Sequence, residues 1–329
     1  MIITRTPFRI SFFGGGTDFP AWYREHGGAV LSTTIDKYCY VHCRKLPPFF
    51  DYKHKIVFFS KQEAFNEIDE IEHPSVRETY RFMNVNEGLV MQHDGDLPSH
   101  SGLGSSSAFT VGLLNALYAL QGKMINKKRL AFEAIHVEQE MIKEAVGSQD
   151  QIAAAFGGLN KIVFSLNNIE VNPVTISNEK LAHLHSRLML FFTGFQRFSV
   201  EIEETKLQML HKKKHEFRAM HRLVESAIDI LNDGVAGYDD FGRLFHENWE
   251  LKKRLSDKVS TSQIDEIYRK GVAAGALGGK ILGAGGGGFI LFYIAPEKQE
   301  KLKSALEPLL HVPFRFDTLG SQVIYYAVP

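Results

Sequence analysis

The chain has 329 residues, with 38 Lys and Arg against 38 Asp and Glu, 44% hydrophobic and 23% charged. Those are globular proportions at a length that predicts two domains, and a formal charge of zero argues against nucleic acid or an anionic membrane as main partner, since either leaves a basic excess. No apolar run reaches the ~18–20 residues of a membrane span, and "MIITRTPFRI" lacks a signal-peptide pattern. A cytoplasmic protein is therefore expected, with Cys39 and Cys43 as free buried thiols rather than a disulfide or zinc site. The basic run Lys212-Lys213-Lys214 reads as a solvated helical face.

From the N-terminus, "RISFF" (Arg9–Phe13) predicts a strand running into the loop "GGGTD". The helix "FPAWYREH" follows, with Asp18 as N-cap, Pro20 near its start and Gly27-Gly28 as its stop. "AVLSTTI", "YCYVHCR" and "KIVFFS" read as three strands, and "GLVMQ" (Gly88–Gln92) as another. From Ser105 to about Gln121, Phe109, Leu113, Leu114, Leu117 and Leu120 recur at helical spacing. A second helix is predicted over Lys128–Ala145, burying Leu130, Ala134, Val137, Met141 and Ala145, and a third at "QDQIAAAF", closed by Gly157-Gly158. Strands "KIVFSL" and "IEVNPVTI" complete a first domain, 1–175, with the boundary around Asn172–His185. The second, 176–329, is predicted to hold strand "RLMLFFT", helices over 200–231, Tyr238–Leu255 and Gln263–Ala274, and strand "FILFYIA". Helix "EKQEKLKSALEPLL" and strands "FRFDT" and "QVIYYAV" end it. The pattern is mixed α+β.

Glycine concentrates in three loops: Gly14–Gly16, Gly102–Gly104 and Gly283–Gly288. The P-loop pattern G-x-x-x-x-G-K-[ST] is absent, and "GAGGGG" leads into a strand, so it is no dinucleotide fingerprint. The middle loop, "SGLGSSSA", precedes a helix whose first N–H groups lack intrahelical partners and carry the positive end of the macrodipole. With the hydroxyls of Ser105, Ser106 and Ser107 it suits a polyphosphate; the plainer reading is a serine-capped helix.

Glu138 falls on the apolar stripe of its predicted helix, where a carboxylate needs either a cation, with Ser106 as co-ligand, or a buried lysine or arginine. Asp150 opens the third helix and Arg9 lies on the strand before the first glycine loop. Paired, they could orient a substrate hydroxyl; alone, Asp150 could be an N-cap.

In chain order, "PFRISFFGGGTDFP", "PSHSGLGSSSA" and "GGKILGAGGGGF" resemble the motifs of the GHMP kinases, and "VEQEMIKEAVGSQDQ" resembles that family's segment bearing a metal-binding glutamate and a catalytic aspartate. The resemblance spans nearly the whole chain. It implies an α+β two-domain fold, S5 domain 2-like then ferredoxin-like, with the active site in the interdomain cleft. It implies ATP and Mg²⁺, and a sugar or sugar phosphate as acceptor. ATP phosphates would meet Ser101, Gly102, Leu103, Gly104, Ser105, Ser106 and Ser107. Mg²⁺ would rest on Ser106 and Glu138, and Asp150 would act as base beside Arg9. Gly15, Gly16, Thr17, Asp18, Gly285 and Gly286 would meet the substrate.

Galactokinases carry "GEHTD" where this chain has "GGGTD", so galactose is not expected. The glycine-rich form, with "QDQ" and "TGFQR" (Thr193–Arg197), resembles the branch of the family acting on heptose phosphates, and fucokinase domains are the alternative. Arg197, Lys280 and Lys37 are candidates for a substrate phosphate. A homodimer is left open. A regulator of this fold that binds without turnover is the rival class, and the full set of Asp150, Arg9, Glu138 and serines weighs against it.

Overall fold

The computed structural model describes residues 1–327 apart from positions 60, 100, 196–201, 203, 204, 206, 235 and 236. Among the described residues the first sheet has nine strands, and its spine is β2 (Gly28–Lys45), which pairs along its length with β1 (Ile2–Phe13). The early part of β2, Gly28–Ser32, takes a second neighbour in β6 (Asn160–Phe164), and its late part, Cys39–Lys45, takes β5 (Leu89–Gly95). β3 (His54–Phe58) runs parallel to β5, and β4 (Lys61–Phe65) forms one edge. β7 (Ile169–Pro173) lies beside β6.

The sequence divides β2 into two strands at the polar pair Asp36-Lys37, but the chain runs straight through. Asp36 exchanges bonds with the C-terminal tail instead of turning: its N–H donates to the Arg315 carbonyl at 2.9 Å and its carboxylate accepts the Arg315 N–H at 2.7 Å.

The second sheet is antiparallel, in the order β11 (Leu310–His311), β8 (Leu188–Phe192), β10 (Phe289–Tyr293), β9 (Gly278–Ile281). Its central strands are buried on both faces, which is why "FILFY" has no alternation to read. Phe289, Leu291 and Tyr293 join the core shared with the first sheet, and Ile290 and Phe292 face a second core with Trp249 and Ile264. The tail then departs from the expected division at 175/176. β12 (Phe316–Asp317) pairs with β2, and β13 (Gln322–Tyr326) pairs with β1 as the other edge of the first sheet.

Ten helices among the described residues cover these sheets. α1 (Pro20–His26) follows the first glycine loop, α2 (Pro74–Phe82) precedes β5, and α3 (Ser105–Leu120) packs on β1 and β2. α4 (Lys127–His136) and α5 (Gln149–Phe156) pack together beside it. α6 (Asn178–Ser186), capped by Ser177, fills the segment read as the boundary. α7 (Lys214–Asn232) packs on β1 and β2 and against α8 (Tyr238–Lys253), which reaches both β1 and β9, while α9 (Ser262–Ala274) and α10 (Gln299–Ala305) cover the far side of the second sheet.

Four expectations change. α2 was not legible as a helix, and the predicted 200–231 helix is interrupted by a turn at Leu210, His211 and Lys212 before α7 begins at Lys214, part of the segment ahead of that turn lying outside the described residues. The helix predicted over Lys128–Ala145 stops being α-helical at His136 and passes through a π-helical turn, Val137–Met141. Met141 and Ala145 are consequently only half-buried. The N-cap of α1 is Phe19, not Asp18, whose carboxylate is committed elsewhere.

Candidate active site

β1, α3, α5, α7, α8 and the β9–β10 turn converge on one cavity of about 190 Å³. All three glycine loops contribute to its wall. The third touches the second backbone to backbone: a Cβ on Gly102 would lie 2.5 Å from the Leu282 carbonyl oxygen, and one on Gly283 2.5 Å from Gly102 Cα. Both have left-handed φ, +80° and +65°. The run "GAGGGG" is thus the turn of the β9–β10 hairpin, pressed against the serine loop.

None of the three serines caps α3. The cap position is Gly104, in the left-handed conformation and without a side chain, and the first helical bond runs from the Ala108 N–H to the Gly104 carbonyl at 2.9 Å. The N–H groups of Ser105, Ser106 and Ser107 are therefore left for a ligand. All three serines line the cavity with Gly102 and Gly104. This disposes of the serine-cap alternative. Ser101 and Leu103 are buried outside the cavity wall, and the Leu103 carbonyl accepts the Arg9 N–H at 2.9 Å.

Arg9 and Asp150 form a bidentate pair. Nε and Nη2 of Arg9 donate to Oδ1 and Oδ2 of Asp150, each at 2.7 Å, and Nη1 donates to the Gly102 carbonyl at 2.8 Å. The guanidinium thus fixes the carboxylate and the serine loop together. Asp150 is the second residue of α5, and the cap position belongs to Ser148.

The rest of "GSQDQ" organises two further carboxylates. The Gln149 N–H donates to Asp18 Oδ2 at 3.3 Å, and the Gly16 N–H donates to Oδ1 at 2.8 Å. Asp18 lines the cavity, and burial, with the charge of Asp150 second, pushes its pKa up to about 6. Gly147 leaves it room, since a Cβ there would fall 1.9 Å from Asp18 Oδ2.

Gln151 donates through its side-chain amide to Glu138 Oε2, which also accepts from the Ser107 hydroxyl at 2.9 Å. The serine bonded to Glu138 is therefore Ser107, while Ser106 stands exposed at the cavity mouth. Glu138 is fully buried. Burial, followed by the charge of Glu144, raises its pKa to about 7. Thr110, whose side chain pulls the other way, spends its hydroxyl bond on the Ser106 carbonyl at 3.3 Å, and among the described residues Glu138 Oε1 has no hydrogen-bond partner. The expected alternative, a buried pair with lysine or arginine, is not what forms: among the described residues Glu138 has only neutral donors. A buried carboxylate with a spare oxygen and no cation fits a hard divalent ion that takes one or two carboxylates and keeps its other sites for phosphates and water.

The remaining expected residues divide. Gly15, Gly16 and Gly285 line the cavity. Gly286 lies behind it, donating to the Val259 carbonyl at 2.9 Å. Thr17 is buried and holds the first loop, donating to the Gly14 and Ala29 carbonyls at 2.8 and 2.9 Å. Lys280 reaches the cavity wall, but its ammonium donates to the Ser11 and Phe12 carbonyls at 3.0 and 2.9 Å and so ties the second sheet to β1. Lys37 is outside the wall, paired with Asp36 at 3.4 Å. Arg197 lies outside the described residues.

Lys252 escaped the sequence reading. It lines the cavity and donates to the Ile281 and Gly283 carbonyls at 2.7 and 2.6 Å, bracing the third glycine loop. Its signal was present: Phe241, Phe245, Asn248, Lys252 and Leu255 recur at helical spacing, which puts a charge on a buried stripe.

An anion cradle at a helix mouth, an arginine-held aspartate and a buried carboxylate with only neutral donors suit a phosphotransferase, and family comparison gives the same class. Residues 73–158 match the model of the GHMP kinases N terminal domain and 234–309 that of the GHMP kinases C terminal. The chain belongs to the GHMP kinases and is an ATP-using phosphotransferase with an alcohol acceptor. Among individual relatives, D-glycero-alpha-D-manno-heptose 7-phosphate kinase of Campylobacter jejuni is 31% identical over 321 residues, covering 93% of each chain. A bifunctional fucokinase/GDP-fucose pyrophosphorylase of Arabidopsis thaliana is 26% identical over 92% of this chain but only 30% of its own length. The crystal structure of a D-glycero-D-manno-heptose 1-phosphate kinase from Bacteriodes thetaiotaomicron shares the fold, with a TM-score of 0.79 at 23% identity over 99% of both chains.

Proposed function

We propose that this kinase transfers the γ-phosphoryl group of ATP to the anomeric C1 hydroxyl of D-glycero-D-manno-heptose 7-phosphate, giving the 1,7-bisphosphate. The observation that carries the chemistry is the Arg9–Asp150 pair, bidentate at 2.7 Å and anchored to the serine loop through Gly102. The relative from Campylobacter jejuni and the two side-chain-free positions Gly15 and Gly16, at the cavity wall, support the choice of a bulky sugar.

The open N–H groups of Ser105–Ser107 receive the transferring phosphates, and Asp150 orients the C1 hydroxyl and takes up its proton as the new O–P bond forms and the β,γ-bridge breaks. Both Asp150 oxygens already accept charge-assisted bonds, so placement outweighs basicity, which suits a loose transition state. Asp18 receives sugar hydroxyls. Glu138, with Ser107 and the neighbouring Ser106, would hold Mg²⁺. When bound, that ion neutralises charge on the phosphates. Arg197, from the "TGFQR" segment, is the residue proposed for the substrate's 7-phosphate; Arg9, Lys252 and Lys280 serve carboxylate or carbonyl partners.

A coupled ADP-release screen over hexoses, heptoses and their phosphates tests the reading. Turnover with heptose 7-phosphate, and little with free fucose or galactose, is expected. Turnover confined to fucose would replace the acceptor with that of the alternative.

A further inference from the structure

Glu144 is a carboxylate that the reaction described above does not use, yet it lines the same cavity as the serine loop. A negative charge on the wall of a polyphosphate cradle repels the ligand unless a cation stands between them. The cations of the wall cannot do so. Arg9 is bound to Asp150, Lys252 to the Ile281 and Gly283 carbonyls, and Lys280 to the Ser11 and Phe12 carbonyls.

The backbone is built to bring Glu144 there. Six residues on a regular α-helix would place it about 240° around the axis from Glu138. Instead the π-helical turn Val137–Met141 is followed by Lys143 at φ +63°, a left-handed conformation costly for a residue with a side chain. The chain doubles back, and the Glu144 N–H donates to the Glu138 carbonyl at 2.9 Å. Glu138 itself contributes a fully buried oxygen, Oε1, without a hydrogen bond among the described residues.

We propose that Glu144 is a second carboxylate for the divalent cation, acting with Glu138 to bind the metal that accompanies the nucleotide. The proposal rests on the cation reading of Glu138. Its consequence has opposite signs with and without metal: Glu144 favours the metal–nucleotide complex and disfavours the bare nucleotide.

The test is calorimetric titration of the full chain with the non-hydrolysable analogue AMPPNP, with and without Mg²⁺, backed by Mn²⁺ binding followed by electron paramagnetic resonance. Glu144→Gln is expected to weaken metal binding in the AMPPNP complex about tenfold or more, while metal-free AMPPNP binds as well as to the parent or better. Glu144→Lys should exaggerate both changes, and circular dichroism checks that each variant is folded. Metal affinity within twofold of the parent in folded Glu144→Gln, alongside a clear loss in Glu138→Gln, would overturn the proposal and leave the Glu138 site standing. Unchanged metal affinity in both variants would overturn the proposal together with the cation reading beneath it.

Discussion

Glu138 is a fully buried carboxylate. Its pKa rises from 4.5 to about 7 because burial strips water from the carboxylate and Glu144 adds a like charge. A folded-state value above the unfolded one means that the native protein holds the proton longer. This contribution to stability is complete below pH 4.5 and is lost as pH climbs through about 7. Asp18, raised from 3.8 to about 6, acts in the same direction over a slightly lower window. Metal-free Glu138→Gln, which has no charge to bury, should therefore be more stable than the parent at pH 8 by about 3 kcal/mol. The advantage should vanish below pH 4.5. Denaturant melts at the two pH values measure it, and saturating Mg²⁺ with AMPPNP should reverse the order at pH 8. Equal stabilities at both pH values would mean that the carboxylate is already compensated in the metal-free protein.

Among the elements, the contact between the serine loop and the β9–β10 turn couples the two halves of the site. Gly283→Ala would press a Cβ to 2.5 Å from Gly102 Cα and force a side chain onto a φ of +65°. Neither backbone can yield cheaply, so the loops must part. A rise in KM for ATP of about tenfold, with a stability loss of about 1–3 kcal/mol, is expected; steady-state kinetics with unaltered KM would show that the loops act independently. What the sequence disclosed about these elements follows from how local each signal is. The α3 mouth and the α5 start were legible because glycine, serine and the apolar stripe lie within a few residues of one another. The strand after "GAGGGG" was legible, but β9 before it was not, so the hairpin itself came only with the structure. The π-helical turn was not, because "VEQEM" carries an ordinary helical pattern and the departure is imposed by burying Glu138 against Ser107 and Gln151. Asp18 misled for a similar reason: its cap signal is local, but its partners are the Gly16 N–H and, from across the cavity, the Gln149 N–H.

The assembled molecule depends on ties between its two sheets, and these were the least legible. Lys280 read as a phosphate ligand because a lysine beside a glycine loop has that look; only the packing of β9 against β1 turns it into a clamp. The pairing of β13 with β1 joins opposite ends of the chain, and no local pattern announces it. Asn248 adds a bond from α8 to the Phe12 carbonyl at 3.2 Å. Lys280→Met keeps the bulk and removes the donors, leaving the buried Ser11 and Phe12 carbonyls short of a partner. It should cost about 2 kcal/mol or more in stability and raise KM for both substrates, since the cavity wall is shared. Thermal melts and kinetics of that variant check the point, and an unshifted melting temperature would remove the clamp from the account.

The central claim is that the mouth of α3 and the Arg9–Asp150 pair form the phosphoryl-transfer centre. ADP release from Mg-ATP and heptose 7-phosphate, compared between the parent and Asp150→Asn, tests it most directly. A fall in kcat of about 10²-fold or more with AMPPNP affinity unchanged is expected. Turnover near that of the parent in a correctly folded Asp150→Asn protein would contradict it.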